Sequence, residues 1–309
     1  MRLPSLRHAL LPLIATLLLA GCHGKDDPAQ AGGSTPEAAL QSSVDLLKRG
    51  DIHGLWKHAL PPADYANLRA DWALQQRQAE PASAEQRARF IETMQKLTAP
   101  GAEDALDAEL QPKLAALKQQ YQDQVPVLLS VGEAFLKRSI ARNPTLDEAR
   151  EAQAGSVLDT LLPWAQQAPW FDQARAKQAI GVAVATARKL DLKDPDQLHS
   201  LDFDATMARY ATAWAGFRQL LAIYGLPIEQ TLDSVRFTRL SSSNGHAVVK
   251  IDYTLLGKPL SSESKLVEEH GRWYIDELLQ NARRSHQQLR QQAAIADAAV
   301  AAGNRVTKD

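Results

Sequence analysis

The sequence predicts an α+β protein, mostly α: a multi-helix body, then a small C-terminal antiparallel meander of three to four strands, then a terminal helix. Three observations carry that reading. Apolar residues recur at helical spacing from about residue 35 to 224. Asn244-Gly245, a strong two-residue hairpin signal, separates Val235–Leu240 from Ala247–Leu255. In the second run Val249, Ile251, Tyr253 and Leu255 alternate with Lys250, Asp252 and Thr254, which is the pattern of a half-buried strand.

The elements follow in order. Ser34 with Glu37 forms a capping box, Pro36 sits in the first turn, and the first helix stops at Gly50. Asp51 caps a short helix through Trp56, and Pro61-Pro62 opens a third helix to about Gln78. Ser83 with Gln86 repeats the capping box ahead of a helix that ends before Pro100. Residues 102–123 place Leu106, Leu110, Leu114, Leu117 and Tyr121 on one face, and Pro112 is expected to kink or divide that helix. Helices follow at 126–141 and 145–166, the latter with a Thr145–Glu148 box. The helix at 172–190 carries nine uncharged residues, Ala179 to Ala187. It is expected to be the buried central helix, with Gly181 and Ala185 permitting close approach. A helix at 203–224 ends the helical body. Gly257-Lys258-Pro259 and His270-Gly271 then turn between strands, and Asp276 to about Ala301 is helical.

The chain opens with a leader. Arg2, Arg7 and His8 form a basic region, and Ala9 to Leu18 form a short apolar one. That apolar run is too short to span a bilayer, which needs about 20 residues, and it fits a cleaved signal. Leu19-Ala20-Gly21-Cys22 then resembles the lipobox of bacterial lipoproteins. The resemblance implies a signal peptide over residues 1–21 and acylation of Cys22, with His23 in place of the Asp that favours inner-membrane retention. It thus implies a lipid-anchored outer-membrane protein, expected to face the periplasm. Residues 22–34 become the lipidated cysteine and a flexible tether, and Gly24 to Gly33 hold no residue able to join a core. Residues 35–232 form the helical body and 233–309 the sheet with its C-terminal helix, packed with the body as one unit.

Composition narrows the function. Of 35 basic residues, loss of Arg2 and Arg7 leaves 33 against 36 acidic ones. That balance argues against a nucleic-acid partner. Cys22 is the only cysteine, so with its sulfur acylated no thiolate metal site or cysteine nucleophile remains. The membrane is one partner, through Cys22. The other is an envelope protein or a small ligand that the sequence does not name.

Lys265 to Leu278, KLVEEHGRWYIDEL, resembles the closing hairpin of cystatin-like cone folds of the nuclear transport factor type. The opening helix pair with Lys48-Arg49-Gly50-Asp51 at its corner is similar to their first helices. That group includes enzymes and non-catalytic modules, so the resemblance implies a fold and no activity.

Motifs for chemistry are sparse. Ser262-Glu263-Ser264-Lys265 matches S-x-x-K and Ser242-Ser243-Asn244 matches S-x-N. A penicillin-binding site needs that Ser at a helix start and S-x-x-K first in the chain. Here the segment is strand, the order is reversed and K-T-G is absent. His53 and His58 read as two surface or helix-end imidazoles, and Glu133 with Lys137 as a solvated i,i+4 pair. No metal or cofactor site is expected.

The best binding candidates are aromatic: Trp164, Trp170, Tyr210, Trp214 and Phe217. Trp164, Trp170 and Phe171 mark the junction of two helices. Met207, Tyr210, Trp214, Phe217, Leu221 and Tyr224 share one helix face, expected to be core and otherwise the wall of a pocket. The leading expectation is a non-enzymatic envelope lipoprotein that binds or scaffolds. The alternatives are a small-ligand carrier with an aromatic-lined cavity and an envelope-polymer hydrolase.

Overall fold

A computed structural model describes residues 30–78, 80–121, 124–143 and 147–306. The leader, Cys22, residues 24–29 of the tether and Thr145 lie outside the described residues. The helices are α1 (Pro36–Arg49), α2 (Ile52–Ala59), α3 (Pro62–Gln78), α4 (Ala84–Thr98), α5 (Ala102–Tyr121), α6 (Val125–Ala141), α7 (Glu148–Gln167), α8 (Gln173–Leu190), α9 (Gln197–Ser200), α10 (Phe203–Ile223), α11 (Ile228–Ser234) and α12 (Asp276–Val306). The strands are β1 (Arg236–Ser243), β2 (His246–Leu255), β3 (Lys258–Glu269) and β4 (Arg272–Ile275). They form one antiparallel sheet in the order β1-β2-β3-β4. The fold is therefore mostly α with a four-stranded meander and a terminal helix. The short helices α9 and α11 add to the expected set.

Turn chemistry sets the sheet. Asn244 and Gly245 both have positive φ, 51° and 73°, as a type I′ hairpin turn requires. Helix α1 packs on β1, β2 and β4. Its Ala39 and Leu40 join Ala247, Val249, Leu266 and Trp273 in the core. Each fully buried Leu or Val there contributes about 1.5–3 kcal/mol. A second cluster, Leu60, Tyr274 and Leu279, gathers Trp56, Tyr65 and Leu68 around it. Helix α12 is clasped over α3 by charge. Arg283 bonds Asp64 and Glu269, and His286 Nδ1 faces the buried Asp71 carboxylate at 2.8 Å.

Several expectations are corrected. The N-cap of α1 is Thr35, whose hydroxyl accepts from the Ala38 N–H at 3.1 Å, one residue after Ser34. The Asp51 cap and the Ser83–Gln86 box stand as read. Asp147 caps α7, accepting from the Arg150 N–H. Helix α5 runs undivided through Pro112, with Leu114 buried. Helix α8 is central, touching α4, α5 and α10, yet it buries only Ala176, Val184 and Ala187. Its close approach is not at Gly181, where an added Cβ would meet nothing within 4 Å. It lies opposite, at Gly216 of α10, where a Cβ would come 2.3 Å from Thr186 Oγ1.

The tether ends earlier than expected. Gly33 pairs with Trp273 through hydrogen bonds of 3.0 and 2.8 Å, and the Gly32 N–H donates to the His58 carbonyl at 2.7 Å. The segment is held chiefly through its backbone groups, some of them bonded by the Arg272 side chain, and Ala31 is its one side chain packed on the core, so a count of large apolar residues does not find it. Gly33 is also pressed against α1: a Cβ would lie 2.2 Å from the Ala39 nitrogen. His58 is not on the surface. It is 1% exposed, with Nδ1 2.9 Å from the Gln30 carbonyl and Nε2 3.0 Å from that of Ala39.

Candidate functional site

The five aromatic candidates fall in two places along α10. At its C-terminal end, α7 delivers Trp164 and the α7–α8 connection delivers Trp170. The two rings meet edge to face at 5.4 Å, and Trp170 stacks on Tyr224 at 5.1 Å. Both indole N–H groups are used internally. Trp164 donates to the Tyr224 carbonyl at 2.8 Å and Trp170 to the Ala165 carbonyl at 2.7 Å. Burial, reinforced by Asp172, pushes the Tyr224 hydroxyl pKa up. Phe171 is half-buried beside them.

Trp164 and Tyr224 form one wall of an open groove of about 400 Å³. Arg175, Gln167 and Lys258, the first residue of β3, also line it. A second lobe of about 470 Å³ continues past Gly225 and Leu256, with Gln230, Thr231, Ser234 and Thr254 along it. Arg175 donates to the Ile223 carbonyl, and Lys258 Nζ to that of Asp159 at 3.4 Å. The groove thus combines an indole face, amide and hydroxyl groups and two cations. Such a lining suits a small polar ligand with a flat apolar face.

Tyr210, Trp214 and Phe217 lie elsewhere, with Trp214 about 15 Å before Tyr224 along the helix. They are neither core nor the walls of that groove. Tyr210 is 44% exposed and Phe217 51% exposed, while Met207 of the same stripe is buried. The reason is reach. Tyr65 and Trp72 of α3 cover Phe203 at ring distances of 6.0 Å, and Trp72 touches only the edge of Tyr210 at 6.4 Å. Helix α10, at 21 residues, continues beyond that cover. Trp214 instead turns to α1: its indole N–H donates to the Leu47 carbonyl, and Arg218 lies over its ring at 5.6 Å. Spacing found the stripe but could not say how far along it the cover extends. Gly216, immediately before Phe217, was the available signal for the side that approaches α8.

Two polar clusters escaped the sequence reading. At the junction of α2, α3 and α10, His53 Nε2 lies 2.7 Å from the Tyr65 hydroxyl and 3.2 Å from Asp204 Oδ1. Arg69 grips the Asp204 carboxylate at 2.6 and 2.8 Å. A hydroxyl, an imidazole and a carboxylate together invite a proton-relay reading. A relay, however, needs the hydroxyl and the carboxylate on opposite ring nitrogens. Here both meet Nε2, so the cluster ties helices together. In the second cluster Asp71 meets Nδ1 of His286, the relay-like side, and no hydroxyl among the described residues is hydrogen-bonded to Nε2. Residues from segments over 100 positions apart build both clusters, so no local spacing announces them. Glu133 pairs with Lys137 at 2.9 Å, as read from the sequence, and Lys137 also reaches Asp159 of α7. Among the described residues no group of three metal-ligating side chains converges, and no helix is long and apolar enough to cross a membrane. Comparison with known proteins finds no family model, no curated protein and no solved structure that matches this chain.

Proposed function

We propose that this chain is a lipid-anchored outer-membrane protein of the cell envelope, facing the periplasm, whose folded part works by binding or scaffolding. The observation that carries the anchor is Cys22, the only cysteine, placed directly after Leu19-Ala20-Gly21 at the end of a basic and then apolar leader. Multiple acyl chains on one residue hold a protein on a membrane durably, because each buried CH₂ contributes about 0.8 kcal/mol. The binding role is supported by large apolar side chains left in water, Val131 and Phe135 on α6 and Phe217 on α10. Exposed apolar surface of this kind marks interaction sites. The packing of α1 on the four-stranded sheet supports a cone-like C-terminal unit.

A second reading, a small-ligand carrier, draws on the groove beside Trp164 and Tyr224. Its openness to solvent ranks it behind the scaffold. Labelled palmitate tests the anchor. Wild-type protein is expected to incorporate label and Cys22→Ser to incorporate none; equal labelling of the two overturns the reading.

A further inference from the structure

Helix α6 packs mainly on α7 and leaves a large apolar stripe in water. Val127, Val131 and Phe135 are 64%, 66% and 69% exposed. Arg138 and Arg142, also exposed, continue the same stripe. At 100° per residue, these five side chains fall within an arc of about 80°. Neither arginine has an ion-pair partner among the described residues. The one acidic residue of α6, Glu133, is on the far side, where its partner Lys137 also bonds Asp159 of α7. The exposed face is therefore apolar over its first turns and purely cationic over its last.

That combination selects an occupant. A protein groove would bury the apolar residues and require acidic partners at one end. An anionic bilayer surface supplies both at once, an acyl boundary for the apolar stripe and phosphates for the arginines. Helix α6 is 17 residues, about 25 Å long, and meets no criterion for crossing a membrane, so its geometry is that of a helix lying in the surface. The fold also orients it. Arg150, just past the α6–α7 connection, makes a two-pronged bond to Glu277 at 2.8 and 2.7 Å. Five residues before Glu277, Arg272 holds the carbonyls of Ala31 and Gly32. The start of α7 is thus tied to α12, five residues beyond the arginine that holds Ala31 and Gly32, and Ala31 is at most about 30 Å of extended chain from Cys22.

We propose that α6 is a bilayer-contact helix. Val127, Val131 and Phe135 enter the headgroup–acyl boundary of an anionic membrane, and Arg138 and Arg142 pair with lipid phosphates. In the cell this rests on the anchor proposed above, which holds the helix at the surface.

The test works without the anchor. In a Cys22→Ser background Phe135→Cys supplies the only thiol, for a nitrobenzoxadiazole dye. Gln95→Cys on the exposed face of α4 supplies a control. With vesicles of phosphatidylethanolamine and phosphatidylglycerol at 3:1, the dye at 135 is expected to shift to the blue and brighten several-fold. The dye at 95 is expected not to respond. Changing Arg138→Gln and Arg142→Gln together is expected to weaken the response at 135 by about thirtyfold. An unresponsive dye at 135, or equal binding to pure phosphatidylcholine, overturns the proposal. So does a blue shift that needs no vesicles and follows protein concentration, which would assign the stripe to a second copy. Failed palmitate labelling of Cys22 overturns the anchor alone; a silent dye at 135 overturns this contact alone.

Discussion

Trp214 donates its indole N–H to the carbonyl of Leu47 at 3.2 Å, joining the middle of α10 to the C-terminal turn of α1 across 167 positions of sequence. Arg218, one turn on, donates to the Lys48 carbonyl at 3.0 Å. The Leu47 carbonyl also accepts from the Gly50 N–H at 3.1 Å, so α10 adds a second partner to the Gly50 cap that closes α1. Trp214 therefore acts as a clamp with one face against protein.

Truncating that clamp removes one hydrogen bond and part of a ring contact. Trp214→Ala is expected to cost about 2 kcal/mol, less than the 3–5 kcal/mol of a fully buried Trp. Trp214→Phe keeps most of the ring and is expected to cost about 1 kcal/mol. Phe217→Ala, at a half-exposed site, should stay near wild type. Urea midpoints of the three variants check the order; a Phe217→Ala loss equal to that of Trp214→Ala would mean that the stripe is buried.

Gly181 and Gly216 make a contrasting pair. Ala is the better helix former by about 1 kcal/mol, so Gly181→Ala, with open space around its Cβ, is expected to raise the melting temperature. Gly216→Ala drives a methyl into Thr186, and overpacking of that kind costs about 1–3 kcal/mol. It is expected to lower the melting temperature, and Thr186→Ala is expected to restore it. Thermal denaturation of the single and double variants decides; a stabilising Gly216→Ala would contradict the α8–α10 seam.

Asp204 gives the fold a pH dependence. Hydrogen bonds from Arg69, opposed by partial desolvation and helped by the charges of Arg69 and His53, hold its carboxyl below the usual range. A carboxylate depressed in the folded state adds stability above its unfolded pKa, about 3.9. That stability is lost as pH falls through the folded value. Because the pair is half-exposed, the gain is below about 1 kcal/mol. Asp204→Asn should therefore melt below wild type at pH 7, and the gap should close as pH falls below about 4. A gap unchanged at pH 3 would separate Asp204 from the effect.

Local physics made much of this protein legible in its sequence. The Asn244-Gly245 turn, the alternation from Val249 to Leu255, the Ser83–Gln86 box and the Asp51 cap all depend on neighbours within a few residues. They stand where the sequence put them. The pairing of Glu133 with Lys137 is local in the same way. The Leu19-Ala20-Gly21-Cys22 pattern is also local, and the proposed anchor rests on it alone.

Tertiary structure decided what no short window contains. Whether the Tyr210–Phe217 stripe is covered depends on where α3 ends against α10. Which glycine permits close approach depends on Thr186, 30 residues away. Gly33 joins the sheet through backbone groups that carry no side-chain signal, and His58 is buried because Gln30 and Ala39 bring carbonyls to both of its nitrogens. Periodicity states that a face exists; burial is a property of two surfaces, and the second surface is set by the fold.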